Sequence, residues 1–433
     1  MAQRRHQRQT ECLRSGAVGM RHAQASHGRA HGWGARCGWC ALALGVVLGV
    51  AAPGAAEDSV GAASSVFNES GGPLHMTVVV PTVKASKDLG QAVTLRAGWT
   101  ADVVSGASVA VVDAPAAKVD AISSATVTDT RHAFNGSVEV HDGLAALAVG
   151  YTHAFENDYL SNALNVSART DLWDRDTTLQ ISYARAFDEV CDLAGSFDPV
   201  MKPRLDSSKG CFSDHKTRTE HDLASHTWQA AWTQALTPIL SLQVSGSAQV
   251  NHGFQSNPYR AVRIGRTAAQ EHHPIDRARY SLGAGLRLWI AALGGSLSTQ
   301  ARAYRDTWDI SSLSGELGYD QTLVAQLRLR LRGRYYTQTA AAFYSDDYVL
   351  DPRGQYFTGD RELSPLQSVL AGPALLWTAP TDDRGHVLGV LSGFELTLKG
   401  DVLKTYFNHF HYDKAPVPNT FALIGTLELH GLF

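Results

Sequence analysis

Apolar and polar residues alternate along the stretch Leu323–Tyr335. Leu323, Ala325, Leu327, Leu329, Leu331 and Tyr335 fall on one face of an extended chain, while Gln326, Arg328, Arg330, Arg332 and Arg334 fall on the other. Side chains on a strand point to opposite faces in turn, so this is a strand with one apolar and one watery side. A helix would gather residues three and four apart, which this stretch does not. In Arg277–Ile290, Tyr280, Leu282, Ala284, Leu286, Leu288 and Ile290 oppose Arg277, Arg279, Ser281 and Arg287. In Leu240–Asn251, leucines and valines oppose serines and glutamines.

Fourteen such segments run along the chain. They are Ala92–Val104, Arg131–His141, Leu144–Phe155, Leu160–Leu172, Thr177–Phe187, Thr227–Leu236, Leu240–Asn251, Arg277–Ile290, Gly295–Arg305, Ile310–Tyr319, Leu323–Thr337, Leu366–Trp377, Val390–Phe407 and Asn419–Phe433. Short connections, such as His141-Asp142-Gly143 and Thr237-Pro238, alternate with long ones, such as Ser105–Thr130, Asp188–His226, His252–Asp276 and Gln338–Pro365. Strands of about ten residues with apolar-out, polar-in alternation, short turns at one end and long loops at the other describe a transmembrane antiparallel β-barrel. The expected fold is therefore all-β, with about fourteen strands, short periplasmic turns and long extracellular loops. Met76–Ala85 also reads as a strand, either a segment inside the lumen or one of a missed pair, which makes sixteen the alternative count.

The hydrophobic share is 44% and only 18% of residues are charged, against roughly 25% in ordinary soluble domains. A soluble secreted sandwich or propeller needs far more polar outward positions. Residues 1–56 hold seven arginines and a single acid, Glu11, followed by an apolar centre at Ala41–Ala52 and the small-residue series Pro53-Gly54-Ala55-Ala56. Basic, then apolar, then small is the order of a secretory signal peptide, with cleavage expected after Ala56 and translation starting at Met1 or Met20. Residues 57–75 are then expected as an N-terminal periplasmic segment and 76–433 as the barrel. With the leader gone, the totals of 38 basic and 41 acidic residues fall to 31 and 40, a net charge of −9 with no basic field for nucleic acid. The two cysteines left, Cys191 and Cys211, suggest one disulfide across a polar loop in an oxidising compartment.

The last segment places Phe421, Leu423, Gly425, Leu427, Leu429, Gly431 and the terminal Phe433 on one face. A final amphipathic strand ending in Phe resembles the signal read by the barrel-assembly machinery of Gram-negative outer membranes. A second resemblance lies in the first long loop. Asp102-Val103-Val104-Ser105-Gly106-Ala107-Ser108 is followed by Asp120-Ala121-Ile122-Ser123-Ser124-Ala125-Thr126. With the upstream Val80-Pro81, this looks like an uncharacterised family of proteobacterial outer-membrane barrels, a domain of unknown function, over roughly Leu74 to Phe433. The resemblance implies an outer-membrane location and no established activity. The two halves of the motif match each other, and Asp and Ser suit local turns that bond backbone N–H groups. A cation site on Asp102 and Asp120 is the alternative, with few carboxylates for one.

Candidate functional residues sit on the watery face. Arg328, Arg330, Arg332 and Arg334 form a row at spacings of roughly 6–7 Å along one wall, and Arg96, Arg169, Arg277, Arg279, Arg287 and Arg302 share the inward side. Asp102, Glu139, Asp171, Glu316, Glu395, Asp401 and Glu428 are the inward acids. The row either guides anions through a water-filled lumen or braces the wall by pairing with carboxylates, Glu316 being the nearest candidate. His409 and His411 stand in an aromatic run that an interfacial girdle explains without metal. The chain contains no His-Glu-x-x-His, Gly-x-Ser-x-Gly or phosphate loop, and no cofactor is expected. Three functions are consistent with this reading: a pore for small polar or anionic solutes, a docking component of an envelope assembly with a plugged lumen, and a barrel enzyme acting on lipid or peptide. Expected partners are outer-membrane lipid and lipopolysaccharide, the assembly machinery during insertion, and, for the second function, an envelope protein.

Overall fold

The computed structural model describes residues 58–433 apart from 72–73, 107–127, 157–158, 194–217, 257–260, 265–266, 347, 349–353, 383–384, 388, 408–409, 413–414 and 417–418. Among the described residues sixteen antiparallel strands close into one barrel. In chain order they are β1 (Ser59–Gly71), β2 (Leu74–Leu89), β3 (Val93–Gly106), β4 (Thr128–His141), β5 (Ala145–Phe155), β6 (Tyr159–Leu172), β7 (Thr177–Leu193), β8 (Arg218–Thr237), β9 (Leu240–Gly253), β10 (Asp276–Ile290), β11 (Gly295–Asp306), β12 (Ser311–Val324), β13 (Leu327–Gln338), β14 (Leu366–Thr378), β15 (Gly393–Tyr406) and β16 (Thr420–Leu432). Two short hairpins, Ala261–Ile264 with Thr267–Gln270 and His411–Tyr412 with Ala415–Pro416, stand apart from the barrel sheet.

All fourteen expected segments are barrel strands, and two more at the N-terminal side make sixteen, the alternative count rather than fourteen. Met76–Ala85 lies within β2, a wall strand rather than a segment inside the lumen. Ser59–Gly71, assigned from sequence to a periplasmic segment, is β1. It closes the barrel by pairing with β2 on one side and β16 on the other, from Ser59↔Leu432 to Ser70↔Phe421. Its inward face carries little strand signal because it reads Gly61, Ala63, Ser65, Phe67: small and apolar residues where the pattern calls for polar ones. A third difference is local. Leu323 belongs to the end of β12, which runs to Val324, and Ala325-Gln326 form the turn before β13.

Both described chain ends lie at the same rim as the short connections 90–92, 142–144, 238–239 and 325–326, and Phe433 N donates to Asp58 O at 2.9 Å. The strand ends that flank the long connections, Gly106 and Thr128, Leu193 and Arg218, Gly253 and Asp276, and Gln338 and Leu366, lie at the opposite rim. In outer-membrane-type barrels the rim of short turns is the periplasmic one and the rim of long loops the extracellular one, and the two rims are named in that sense. The turns are locally specified. Asp142 accepts from the backbone N–H groups of Ala145 (2.8 Å) and Leu144 (3.0 Å), which holds its carboxyl below the ordinary carboxylate range. Trp173, Asp174 and Arg175 are all left-handed, at φ of 50, 54 and 72°, a costly run for residues other than glycine. On the outward face large apolar residues such as Ile181, Leu282, Leu313 and Leu423 are exposed, as a lipid-facing surface requires.

Candidate functional site: the lumen

Register fixes which side chains share the inward face, because directly opposed residues point the same way. On β10 these are Arg277, Arg279, Ser281, Gly283, Gly285 and Arg287, and on β13 Arg328, Arg330, Arg332 and Arg334. The expected row is therefore on one wall. The lumen nevertheless divides into two halves of different character.

In the periplasmic half many inward side chains are polar and accessible, although Ala374 and Leu376 of β14, opposite Arg330 and Arg328, are buried. Lys84, Arg96, Arg169, Gln229, Gln243, Arg287, Arg328, Arg330 and Glu428 are all exposed within it. Most of the charges are nevertheless paired. Arg330 Nε donates to Asp320 Oδ1 at 2.6 Å, Arg328 approaches Glu395 at 3.5 Å, Arg96 meets Glu139 at 3.0 Å and Arg169 meets Asp171 at 2.7 Å. Arg332 makes a two-armed contact with Asp401, Nε to Oδ1 at 3.0 Å and Nη2 to Oδ2 at 2.6 Å, and Lys399 reaches the same carboxylate at 3.3 Å. Asp401 stands on β15, two strands from Arg332. The intervening inward position on β14 is Gly372, where a Cβ would collide with Gly400 O and the Asp401 carboxylate. The missing side chain is what lets the guanidinium reach across a strand. Glu316, expected as the partner of the row, stands opposite Arg334. Asp320, one of the actual partners, lies past Tyr319, where the clean alternation ends, on a part of β12 that continues to Val324.

The extracellular half is dry. Phe67, Met76, Val78, Val80, Leu370, Leu403, Ala422 and Ile424 form one buried cluster on the inward face of β1, β2, β14, β15 and β16. On the opposite wall Ala154, Ser161, Ala186, Leu223, Ser225 and Asn251 are buried too. Arg277 and Arg279, expected to line a watery lumen, face inward but are only 5% and 6% exposed. Arg277 Nε donates to Asp306 Oδ2 at 2.9 Å while its guanidinium lies 3.9 Å from the Trp308 ring centroid.

Three extracellular connections join above this layer. His272 and Phe357 exchange backbone hydrogen bonds at 3.0 and 2.9 Å, tying loop 254–275 to loop 339–365. Thr358 Oγ1 donates to Glu271 Oε2 at 2.9 Å, and Ala342 N donates to Trp308 O at 2.9 Å. Trp308, Ile310, Ala341 and Leu363 pack as one apolar cluster. From this cap Arg361 donates through both terminal nitrogens to Glu69 on β1, at 3.0 and 3.1 Å, with both side chains buried. Such a two-armed buried pair fixes the loop to the wall.

Not every buried polar group is satisfied. Asn251 is fully buried, and among the described residues neither of its amide atoms is hydrogen-bonded and the hydroxyl of its register neighbour Ser225 is unpaired. In the loop motif, Asp102 faces Arg131 at 3.8 Å, Ser105 and Gly106 end β3, and Asp120 and Ser123 lie outside the described residues. Cys191 is fully buried at the end of β7, while Cys211 lies outside the described residues, as does His409. Among the described residues no group of three or more His, Cys, Asp or Glu is placed to hold a metal ion.

Residues 45–372 match the family described as Protein of unknown function (DUF3570). No curated protein matches the chain. Among solved structures, the chain is similar to a bacterial polysaccharide outer membrane secretin, at 10% identity and TM-score 0.46, covering 87% of this chain and 98% of that one. It is similar to OmpTdeltaL8, a loop L8 deletion mutant of the Vibrio cholerae outer membrane protein OmpT, at 7% identity and TM-score 0.41, covering 87% and 99%. A BenF-like porin from Pseudomonas fluorescens Pf-5 matches at 9% identity and TM-score 0.41, covering 86% and 98%. Identities this low transfer no functional residue.

Proposed function

The chain belongs to the DUF3570 family, proteins of unknown function, and for it we propose a pore for small polar solutes in a Gram-negative outer membrane. The observation that carries this reading is the accessible polar wall of the periplasmic half, where Arg328 and Arg330 are 49% and 44% exposed inside the barrel. A lumen lined this way holds water, and its charges set which ions pass. Because Asp320, Glu395 and Asp401 neutralise most of the arginine row, anion preference is expected to be weak rather than strong. The interlocked loops favour a second reading, a docking component whose extracellular mouth is held shut until a partner displaces the cap.

Export by a leader removed after Ala56 belongs to the same proposal, since β1 starts at Ser59, close after that site. So do the Cys191–Cys211 disulfide and Phe433 as the assembly signal. The deciding experiment is single-channel recording of the refolded barrel in a planar bilayer, beside Arg330→Glu. Steady conductance with a modest anion preference that the substitution reverses supports the pore. A folded barrel that stays silent, and that stays silent when the cap is loosened by Arg361→Gln, overturns it and leaves the docking reading.

A further inference from the structure

On the outward face of β6, β7 and β8, polar side chains interrupt the apolar surface at its extracellular edge. Register sets Arg185 beside Leu164 on β6 and His226 on β8, with Asn162 diagonal to it across β6–β7. Arg185 is exposed, and its guanidinium lies 4.5 Å from the Phe187 ring centroid. No ion pair is formed by Arg185 among the described residues; the outward acids Glu189 and Asp222 stand opposite each other, with Glu220 beyond them, farther toward the extracellular rim. A cation facing lipid without a counter-charge is costly unless the membrane supplies one.

The neighbours of Arg185 offer donors in the same place. Asn162 Oδ1 accepts from Tyr151 OH at 2.6 Å and lies 3.0 Å from His153 Nδ1, which leaves the Asn162 amide N–H groups to an external acceptor. Tyr183 OH and His226 Nδ1 share a hydrogen bond of 2.8 Å; with the hydroxyl donating, the ring proton sits on Nε2. A guanidinium, an amide NH₂ and an imidazole N–H form a donor-only set, which suits a group presenting several acceptor oxygens and negative charge. Directly membrane-ward of it runs an apolar trough of about 530 Å³, lined by Val166, Ala168, Ile181, Tyr183, Trp228 and Ala230 among others. Small residues at Ala168, Ala230, Gly246 and Ala248 hollow it between the larger side chains. Donors above an apolar trough describe an anionic head above an acyl chain.

We propose that Arg185, Asn162 and His226 bind a phosphate of lipid A in outer-leaflet lipopolysaccharide, with an acyl chain lying in the trough between Ile181 and Trp228. The inference rests on the barrel standing in an outer membrane and does not depend on whether the lumen conducts.

The test uses the folded barrel in detergent and bisphosphorylated lipid A, with binding read by Trp fluorescence and native mass spectrometry. Dephosphorylated lipid A of the same acylation and inorganic phosphate serve as comparison probes. Lipid A is expected to bind tightest, and Arg185→Gln to weaken it about tenfold, the usual worth of a charge-assisted bond. Ala230→Phe, which fills the trough and leaves the donors intact, is expected to weaken lipid A as well. Heat-modifiable gel mobility confirms that each variant is folded. Equal binding of the dephosphorylated lipid, unchanged affinity in Arg185→Gln, or inorganic phosphate binding as well as lipid A overturns the proposal.

Discussion

The two halves of the lumen have the same wall strands and different chemistry. In the periplasmic half, charges are accessible and pair through water-exposed contacts such as Arg328–Glu395 and Arg330–Asp320. In the extracellular half, the same strands turn apolar or fully buried side chains inward, and the ion pairs there, Arg277–Asp306 and Arg361–Glu69, are excluded from solvent. An ion pair screened by water contributes little, whereas one partner left alone in a dry site is expensive. For the proposed pore, the difference sets selectivity in the first half and closure in the second as the roles to test.

The largest effect is expected from Glu69→Gln or Arg361→Gln. Either breaks a buried two-armed ion pair, at a cost of about 3–5 kcal/mol, and loosens loop 339–365 from the wall. Limited proteolysis within that loop should accelerate and single-channel conductance should rise; resistance equal to wild type would show that the latch does not hold the cap. Next is Gly372→Val, which drives methyl groups against Gly400 O and the Asp401 carboxylate. Overpacking of this kind costs roughly 1–3 kcal/mol, so the urea midpoint of unfolding should fall, and Arg332 loses its path to Asp401. An unchanged midpoint would mean that β14 shifts freely at this point.

Asn251→Leu sharpens the contrast from the dry side. Removing a buried amide that has no partner should raise stability by about 1–2 kcal/mol, read as a higher urea midpoint. A fall instead would reveal that the amide is satisfied by a bound solute or water. The smallest effect belongs to Arg328→Gln, whose half-exposed contact with Glu395 is worth roughly 0.5 kcal/mol or less. Its midpoint should match wild type within error, while the reversal potential shifts slightly toward cations.

Much of the wall was legible from local pattern. Leu327, Leu329 and Leu331 against Arg328, Arg330 and Arg332 specify a strand, its faces and its side toward water, because side-chain direction has period two. β1 was not legible, since Gly61, Ala63 and Ser65 satisfy either face. Its role depends on β16, some 360 residues away, with which it pairs. Arg185 carried no signal either, because it occupies an apolar position of an otherwise regular strand and acquires meaning only from Asn162 and His226 beside it.

By itself the sequence determined that this chain forms strands with one apolar face, that they lie antiparallel between short turns and long loops, and that arginines line the inside. Those properties follow from residues within one or two positions of each other. Only the tertiary structure decided that sixteen strands close the wall, that Arg332 reaches Asp401 over Gly372, and that Arg361 of a distant loop pairs with Glu69 on β1. Each of those contacts joins residues far apart in the chain, and its energy depends on what surrounds it. Alternation along a strand records the facing of a residue but not its partner across the barrel.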